Sequence, residues 1–399
     1  MPAKIVECVP NFSEGRDEAK IKAIADAVEA VPGAKLLHVD PGPGANRTVV
    51  TFIATPEAVD EAAFRAIAKA AEVIDMREHR GEHPRLGATD VCPFVPIEGV
   101  TLEECAEIAR KVGRRVGNEL GIPVYFYEAA ATDPRRKNLA DVRRGEYEGL
   151  AKKLSDGYWV PDCGPAILNP RSGATIIGAR EFLIAFNITL NTRDKSAAAD
   201  IAFELRERGR VARRAPFSPY YCDGEPLVYR ENHYPCGNCE FVGTTLDDTE
   251  RHCRTAHGYE LRALAAHAIP SYPKVIGHNV RRAGEFKFCK AIGWYVEEYS
   301  RAQISMNLTN YHVTPPHVVL ERARQLAADR GLGVTGSEIV GMIPYAALLA
   351  AGRFYLAQQH RSTDIPAAVI LEAAVDAMGL RDVRPFDVSE KLIGLPSIK

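Results

Sequence analysis

The feature that most limits what this chain can become is a regular alternation of short apolar runs with amphipathic helical patterns, begun at the N-terminus and taken up again past residue 180. Residues 5–9 read as a strand. Residues 20–31 read as a helix with Ile21, Ile24, Val28 and Val31 on one face. Strands follow at 35–40 and 47–54, and Thr55-Pro56 opens a helix carrying Val59, Ala63, Ile67 and Ile74. Thr101 and Glu104 form a capping box for a third helix, and 124–127 read as a strand. The opening pattern then recurs. Asn11-Phe12-Ser13 leads from strand to helix, as does Asn187-Ile188-Thr189. Arg47 to Thr55-Pro56 is matched by Arg301 to Thr314-Pro315. Two related α/β halves follow, each mixing strands and helices in βαββαβ order. At 399 residues the chain exceeds one ordinary core, so two or three units are expected.

Composition narrows the function classes. No apolar run approaches the ~18 residues of a membrane span. Glu7 interrupts the stretch where a signal peptide would be apolar, so a cytoplasmic protein is expected. A net charge of -2 gives no general reason to expect nucleic acid as partner. Nine cysteines, an odd number scattered over the chain, do not form a disulfide framework. Cys105 falls on a helical apolar stripe, and Cys8, Cys92 and Cys163 read as buried thiols.

One loop carries the sharpest chemical signal. In Gly81-Glu82-His83-Pro84-Arg85-Leu86-Gly87, proline biases His83 toward extended backbone and the glycines permit tight turns and close approach of a ligand. An imidazole held there can move protons near neutral pH. Packing or plain surface is the competing reading of a histidine in a turn.

Segments in order along the chain resemble the glutamate formimidoyltransferase family, the formiminotransferase domain. They are Val6-Glu7-Cys8-Val9-Pro10-Asn11-Phe12-Ser13-Glu14-Gly15, Asn46-Arg47-Thr48, Gly81-Glu82-His83-Pro84-Arg85, Asp90-Val91-Cys92-Pro93-Phe94, Gly145-Glu146-Tyr147-Glu148, Gly173-Ala174-Thr175, Gly178-Ala179-Arg180, Phe182-Leu183-Ile184-Ala185-Phe186-Asn187 and Ile292-Gly293-Trp294-Tyr295. The resemblance implies an α/β (α+β) fold of two stacked subdomains of ferredoxin-like βαββαβ type. It also implies transfer of a formimidoyl group from N-formimidoyl-L-glutamate to N5 of tetrahydrofolate, in the last step of histidine breakdown, by a homodimer. The family's catalytic histidine falls on His83. Its folate loop falls on Gly164-Pro165-Ala166-Ile167-Leu168-Asn169-Pro170-Arg171-Ser172-Gly173, whose tip departs from the mammalian pattern at Asn169-Pro170-Arg171. Asp40 falls on an acidic position of the family, and Asn11, Asp40 and Arg47 are candidate substrate-binding residues. Asp40 faces the amidinium or steadies the imidazole, or else caps the turn Pro41-Gly42-Pro43-Gly44. Arg47 holds a substrate carboxylate, or makes a structural ion pair. Arg135, Arg136, Lys137, Arg143, Arg144, Lys152 and Lys153 receive the folate's glutamate tail, or form a solvated face. The resemblance brings no cyclodeaminase domain, so a separate cyclodeaminase is an expected partner. The rival readings are a folate- or nucleic-acid-binding relative without transferase activity, and a transferase using another formyl or formimidoyl donor.

The expected domains are 1–180 and 181–210 with 288–345 for the two subdomains, an intrusion at 211–287, and a helical extension at 346–399, with helices at 346–351 and 367–378. The intrusion is rich in Tyr, Pro, His and Arg and shows no long helical period. It contains Cys236-x2-Cys239-x12-His252-x4-His257, within zinc-finger spacing. Two thiolates and two imidazoles suit a structural Zn2+, with Cys253, Cys222 and His233 as competitors. Asp247, Asp248 and Glu250 stand against Arg251 and Arg254, which disfavours phosphate binding and favours a staple or a protein contact.

Overall fold

The computed structural model describes residues 4–81, 83–214, 224–269 and 271–394. Glu82 and Cys222 lie outside the described residues. The chain divides into two units: Met1–Leu183 with Val340–Tyr345 and Asp387–Lys399, and Ile184–Ile339 with Ala346–Phe386.

In the first unit, strands β1 (Ile5–Cys8) and β2 (Asn11–Phe12) lead to helix α1 (Glu18–Glu29). Then come β3 (Ala34–Gly42), β4 (Arg47–Ala54), α2 (Pro56–Val73), β5 (Thr89–Glu98), α3 (Leu102–Glu119) and β6 (Val124–Glu128). Short helices α4 (Leu139–Arg143) and α5 (Leu150–Ser155) precede β7 (Thr175–Ala179). Across the sheet the order is β3, β4, β1 and β2 together, β5, β7, β6. The β5–β7 and β7–β6 pairs are parallel; the strands that precede them pair antiparallel. With α1 and α2 between strands, the first four positions are the βαββαβ unit expected from sequence. The helix predicted over 20–31 starts earlier, because the Asp17 carboxylate accepts the Ala19 and Lys20 N–H groups and so sets the first turn. The Thr101–Glu104 capping box is present as expected.

Alternation along the strands splits the side chains between two faces. Val6, Cys8, Phe52, Cys92, Phe94, Phe126 and Ile177 form one core with Ile24, Val28, Ile67 and Val112 from the helices. On the other face Val91, Tyr125, Tyr127 and Ile176 pack with Val142, Leu150 and Leu154.

The second unit repeats the plan. Strand β8 (Ile184–Leu190) and helix α6 (Lys195–Leu205) are followed by β9 (Cys289–Val296), β10 (Arg301–Leu308), α9 (Pro316–Ala328) and β11 (Val334–Val340), in the sheet order β9, β10, β8, β11. Helices α10 (Tyr345–Gln358) and α11 (Ala367–Met378) come after. The matched arginines begin β4 in the first unit, at Arg47, and β10 in the second, at Arg301, and in both the second helix follows a Thr-Pro. Pro315, not Thr314, is the N-cap of α9; the Thr314 hydroxyl donates to the Lys287 carbonyl instead.

Between α6 and β9 lie two helices that the sequence pattern did not disclose, α7 (Leu246–His257) and α8 (Leu261–Ala268), along with two-residue ladders such as Tyr234–Pro235 against Val242–Gly243. Helix α7 starts at a capping box, Thr245 with Asp248, and ends at Gly258 in the left-handed conformation. Among the described residues no helix is long and apolar enough to cross a membrane.

Candidate active site

His83 lies on the loop between α2 and β5. A Cβ on Gly81 would come 2.2 Å from the Ala45 carbonyl oxygen, and one on Gly87 would come 2.3 Å from that of Ala174. The loop is therefore pressed against its surroundings on both sides of the histidine, which only glycine allows. The His83 Nδ1 stands 2.7 Å from the Pro84 carbonyl oxygen. A carbonyl only accepts, so Nδ1 carries the proton and the lone pair sits on Nε2. Nε2 has no hydrogen-bond partner among the described residues.

The charges of two guanidiniums, Arg47 and Arg143, act on the ring, and one carboxylate holds both. Asp90, fully buried at the start of β5, takes the Leu86 N–H at 2.9 Å and Arg143 Nη2 at 2.7 Å, and is also paired with Arg47 Nη1. The Asn11 side-chain oxygen accepts from Arg47 Nη2 at 2.9 Å. Burial opposes ionisation of Asp90, yet Arg143 and Arg47 hold it down at about 2. Removal of the His83 ring from water, together with the charges of Arg47 and Arg143, pushes its pKa down to about 3. The free site thus presents a neutral imidazole beside one surplus positive charge.

Around this lies a layer of fixed side chains. Arg85 Nε donates to His79 Nδ1 at 3.2 Å, which leaves His79 Nε2 to donate to the Asn46 carbonyl at 2.9 Å. Arg85 also reaches Glu148 at 2.6 and 2.8 Å and Glu146 at 3.2 Å, so the 145–148 motif clamps the loop that carries His83. The Ser13 hydroxyl donates to the Gly87 carbonyl at 2.8 Å.

The loop 164–173 is joined to the same segment at one end. Asn169 Oδ1 accepts the Arg171 and Ser172 N–H groups, and the Ser172 carbonyl accepts from Ala88 N at 2.8 Å. The Tyr147 hydroxyl donates to the Pro170 carbonyl at 2.6 Å. Its other half, Gly164 to Ile167, is exposed, Ile167 to 73 %.

The structure thus brings His83, Arg47, Asn11 and the 169–173 end of the loop together, and adds Asp90 and Arg143. Asp40 is placed otherwise. Its carboxylate takes the Gly341 N–H at 2.8 Å and faces Lys391 Nζ at 3.6 Å. Among the described residues the His83 ring's one hydrogen bond is to Pro84, not to Asp40. Of the basic stretch, Arg135 pairs with Asp133, Arg136 with Asp162, Arg144 with Asp141 and Arg143 with Asp90. Lys153 reaches the Val142 carbonyl beneath the Trp159 ring.

In the second unit, one atom each from Cys236, Cys239, His252 and His257 lies within 4.8 Å of the others. The sulfurs of Cys236 and Cys239 are 3.7 Å apart, and Cys239 is 3.1 Å from His252 Nε2 and 3.4 Å from His257 Nε2. Phe241 stacks on His252 at 4.0 Å. Cys253 is not a member of the four. It lies behind Cys236 at 3.9 Å, and its thiol, with the Asn238 and Cys239 N–H groups, draws the Cys236 pKa well below the ordinary thiol range. His233 is outside the group as well.

Comparison with known proteins places the chain in a family. Residues 5–180 match the formiminotransferase domain, N-terminal subdomain, and residues 261–395 match the formiminotransferase domain. The Cys/His group falls between the two matches. A formimidoyltransferase-cyclodeaminase of Dictyostelium discoideum is 39% identical over 98% of this chain and 60% of its own length; the chain therefore spans about three fifths of that relative. Glutamate formimidoyltransferases of Streptococcus pyogenes serotype M1 and Thermoplasma acidophilum are 35% and 36% identical, over 89% and 88% of this chain and 94% and 92% of their own lengths. With both family matches in order and near full-length relatives above 30% identity, this chain belongs to the formiminotransferase family.

Proposed function

We propose that the chain is a glutamate formimidoyltransferase that moves the formimidoyl group of N-formimidoyl-L-glutamate to N5 of tetrahydrofolate. The observation that supports this reading is the His83 Nε2 lone pair, without a hydrogen-bond partner among the described residues and within the field of Arg47 and Arg143. The donor carbon is an amidinium and already electrophilic. N5 attacks it, a C–N bond forms, and the proton leaving N5 passes to Nε2. The same proton then goes to the glutamate nitrogen as its C–N bond breaks, so one imidazole serves as base and then as acid. The two arginines bind the donor's carboxylates through their surplus charge. That pairing offsets the field that depresses His83 and raises its basicity when substrate is present. Asn11 orients Arg47. The loop from Gly164 to Gly173 offers backbone groups to the pterin ring. Asp40, tied to Gly341 and Lys391, steadies the strand end that leads to Arg47.

The Cys236, Cys239, His252 and His257 donors fit a structural Zn2+, because tetrahedral Zn–S bonds of ~2.3 Å place two sulfurs about 3.8 Å apart. Bound metal would supply folding energy to a segment whose own core is small. The domain boundaries read from sequence, a homodimer and a cytoplasmic setting complete the proposal.

A spectrophotometric assay of formimidoyl transfer tests the reading. His83→Ala should lose roughly 10²- to 10⁴-fold in kcat with tetrahydrofolate. Near-normal kcat in that variant removes the proton shuttle. Comparing glutamate, glycine and aspartate donors identifies the donor.

A further inference from the structure

The transfer chemistry leaves one buried part of the first unit unexplained. Val6 and Cys8 of β1 face the helices, so Glu7 between them points to the opposite face of the sheet. It lies opposite Ile53 of β4 and Val95 of β5. Glu7 is 2 % exposed and has no hydrogen-bond partner among the described residues. On the same face, two positions along β4 from Ile53, the Thr51 hydroxyl is buried without a partner. Nearby stands a cation with no carboxylate on it. Arg180, just past β7, donates to the Glu181 carbonyl at 3.0 Å and meets the Tyr127 phenol, and it is the charge that Glu7 feels. Among the described residues Arg180 makes no ion pair. Unanswered buried groups carry a cost that a bound ligand would remove.

The place of this cluster says what would answer it. Strands β1 and β2 run in line between β4 and β5, and Asn11, which holds Arg47 at the transfer site, is four residues from Glu7. At ~3.3 Å per residue that is about 13 Å along one sheet face. A folate is elongated: its reacting N5 and its glutamate carboxylates are separated by the p-aminobenzoyl ring. Of the cations in the 135–153 stretch that could receive the tail, Arg135, Arg136, Arg143 and Arg144 are paired at home and Lys153 is turned to the Val142 carbonyl; the exposed Lys137 and Lys152 make no ion pair among the described residues.

We propose that Arg180, with Tyr127 and Glu7 beside it, binds the glutamate-tail carboxylate of the folate whose pterin reacts at His83. This rests on the folate reading above. Burial pushes the Glu7 acid up to about 7, so at neutrality about half of the molecules carry a proton there that can be donated to a carboxylate, and a bound anion favours that form further.

The experiment compares tetrahydrofolate with tetrahydropteroate, which lacks the glutamate tail. The wild type should show a KM roughly 10- to 100-fold lower for tetrahydrofolate, the worth of a charge-assisted contact. In Arg180→Gln that preference should collapse toward one, while Arg180→Lys keeps part of it. Unchanged thermal melting shows that the fold is intact. A full preference in Arg180→Gln overturns the subsite, as does a wild type indifferent to the tail. Calorimetric titration of the same proteins with folate and pteroate reads the preference without turnover. Absent transfer with a retained, Arg180-dependent tail preference would therefore count against the transferase reading and not against the subsite.

Discussion

Replacing Glu7 by Gln should make stability respond to pH in a way that isolates this one carboxyl. In the folded protein burial lifts Glu7 to about 7, while an ordinary glutamate titrates near 4.5. The folded state therefore holds the proton more tightly than the unfolded state. Stability from this group is complete below about 4.5 and is lost as pH rises through about 7, because above it a charge without a partner must be buried. The gap corresponds to about 3 kcal/mol at high pH, of which about 2 kcal/mol develops between about pH 5.5 and 8.5. Glutamine has the same shape and never ionises. Its amide carries its own burial cost, but that cost does not vary with pH. The quantity to follow is the stability difference between Glu7→Gln and wild type, from urea unfolding at a series of pH values. The variant should gain by about 2 kcal/mol relative to wild type across that range, whatever the offset at the acid end. A difference that stays flat refutes the claim that Glu7 is buried without a partner. A difference that falls with pH would mean that Arg180 already pairs with it as a full ion pair.

Asp90→Asn should cost about 3–5 kcal/mol and sharply reduce kcat/KM, because Arg47 and Arg143 lose the buried carboxylate that holds them; thermal melting and the transfer assay read both effects. In the second unit Asp200, 1 % exposed, accepts from Arg210 Nη2 at 2.6 Å and Arg330 Nε at 2.7 Å. Asp200→Asn should destabilise by a comparable about 3–5 kcal/mol in the same unfolding assay, and an unchanged midpoint would show that these arginines find other partners. Freshly purified protein should contain about one zinc per chain. Chelation should open the segment around α7 to limited proteolysis, and metal-free protein with an unaltered digestion pattern would remove zinc's structural role.

What could be read in advance follows from how far apart the cooperating residues lie. Both βαββαβ units were legible because strand and helix periods are local, and the matched Arg47 and Arg301 do begin strands, β4 and β10. Helix α7 was not legible. Its sequence, Leu246-Asp247-Asp248-Thr249-Glu250-Arg251-His252-Cys253-Arg254, is polar almost all round, and its apolar packing runs through Leu246 and Cys253, which meet Cys236, Leu261 and Tyr259, with Leu246 also against the cluster of Tyr229, Ala265 and Val280. What holds it is the Thr245 cap and the convergence of two of its histidines on Cys239, and neither gives a long apolar period. The site divides in the same way. His83 was singled out by its glycine and proline neighbours only together with the family resemblance around them, whereas Asp90 and Arg143 are 53 residues apart and meet only because β5 and α4 bring them together. Asp40 looked open as a strand-end carboxylate until Lys391, 351 positions later, came to face it. Glu7 drew notice only as a break in an apolar run until the fold left it buried without a hydrogen-bond partner among the described residues, with Arg180 acting on it only through its charge. The two acids thus exchange places: the carboxylate that sequence suggested for a ligand is engaged within the protein, and the one it passed over is left open. A ligand's place is marked by polar groups the fold leaves unanswered, and that quantity exists only once distant residues have been counted.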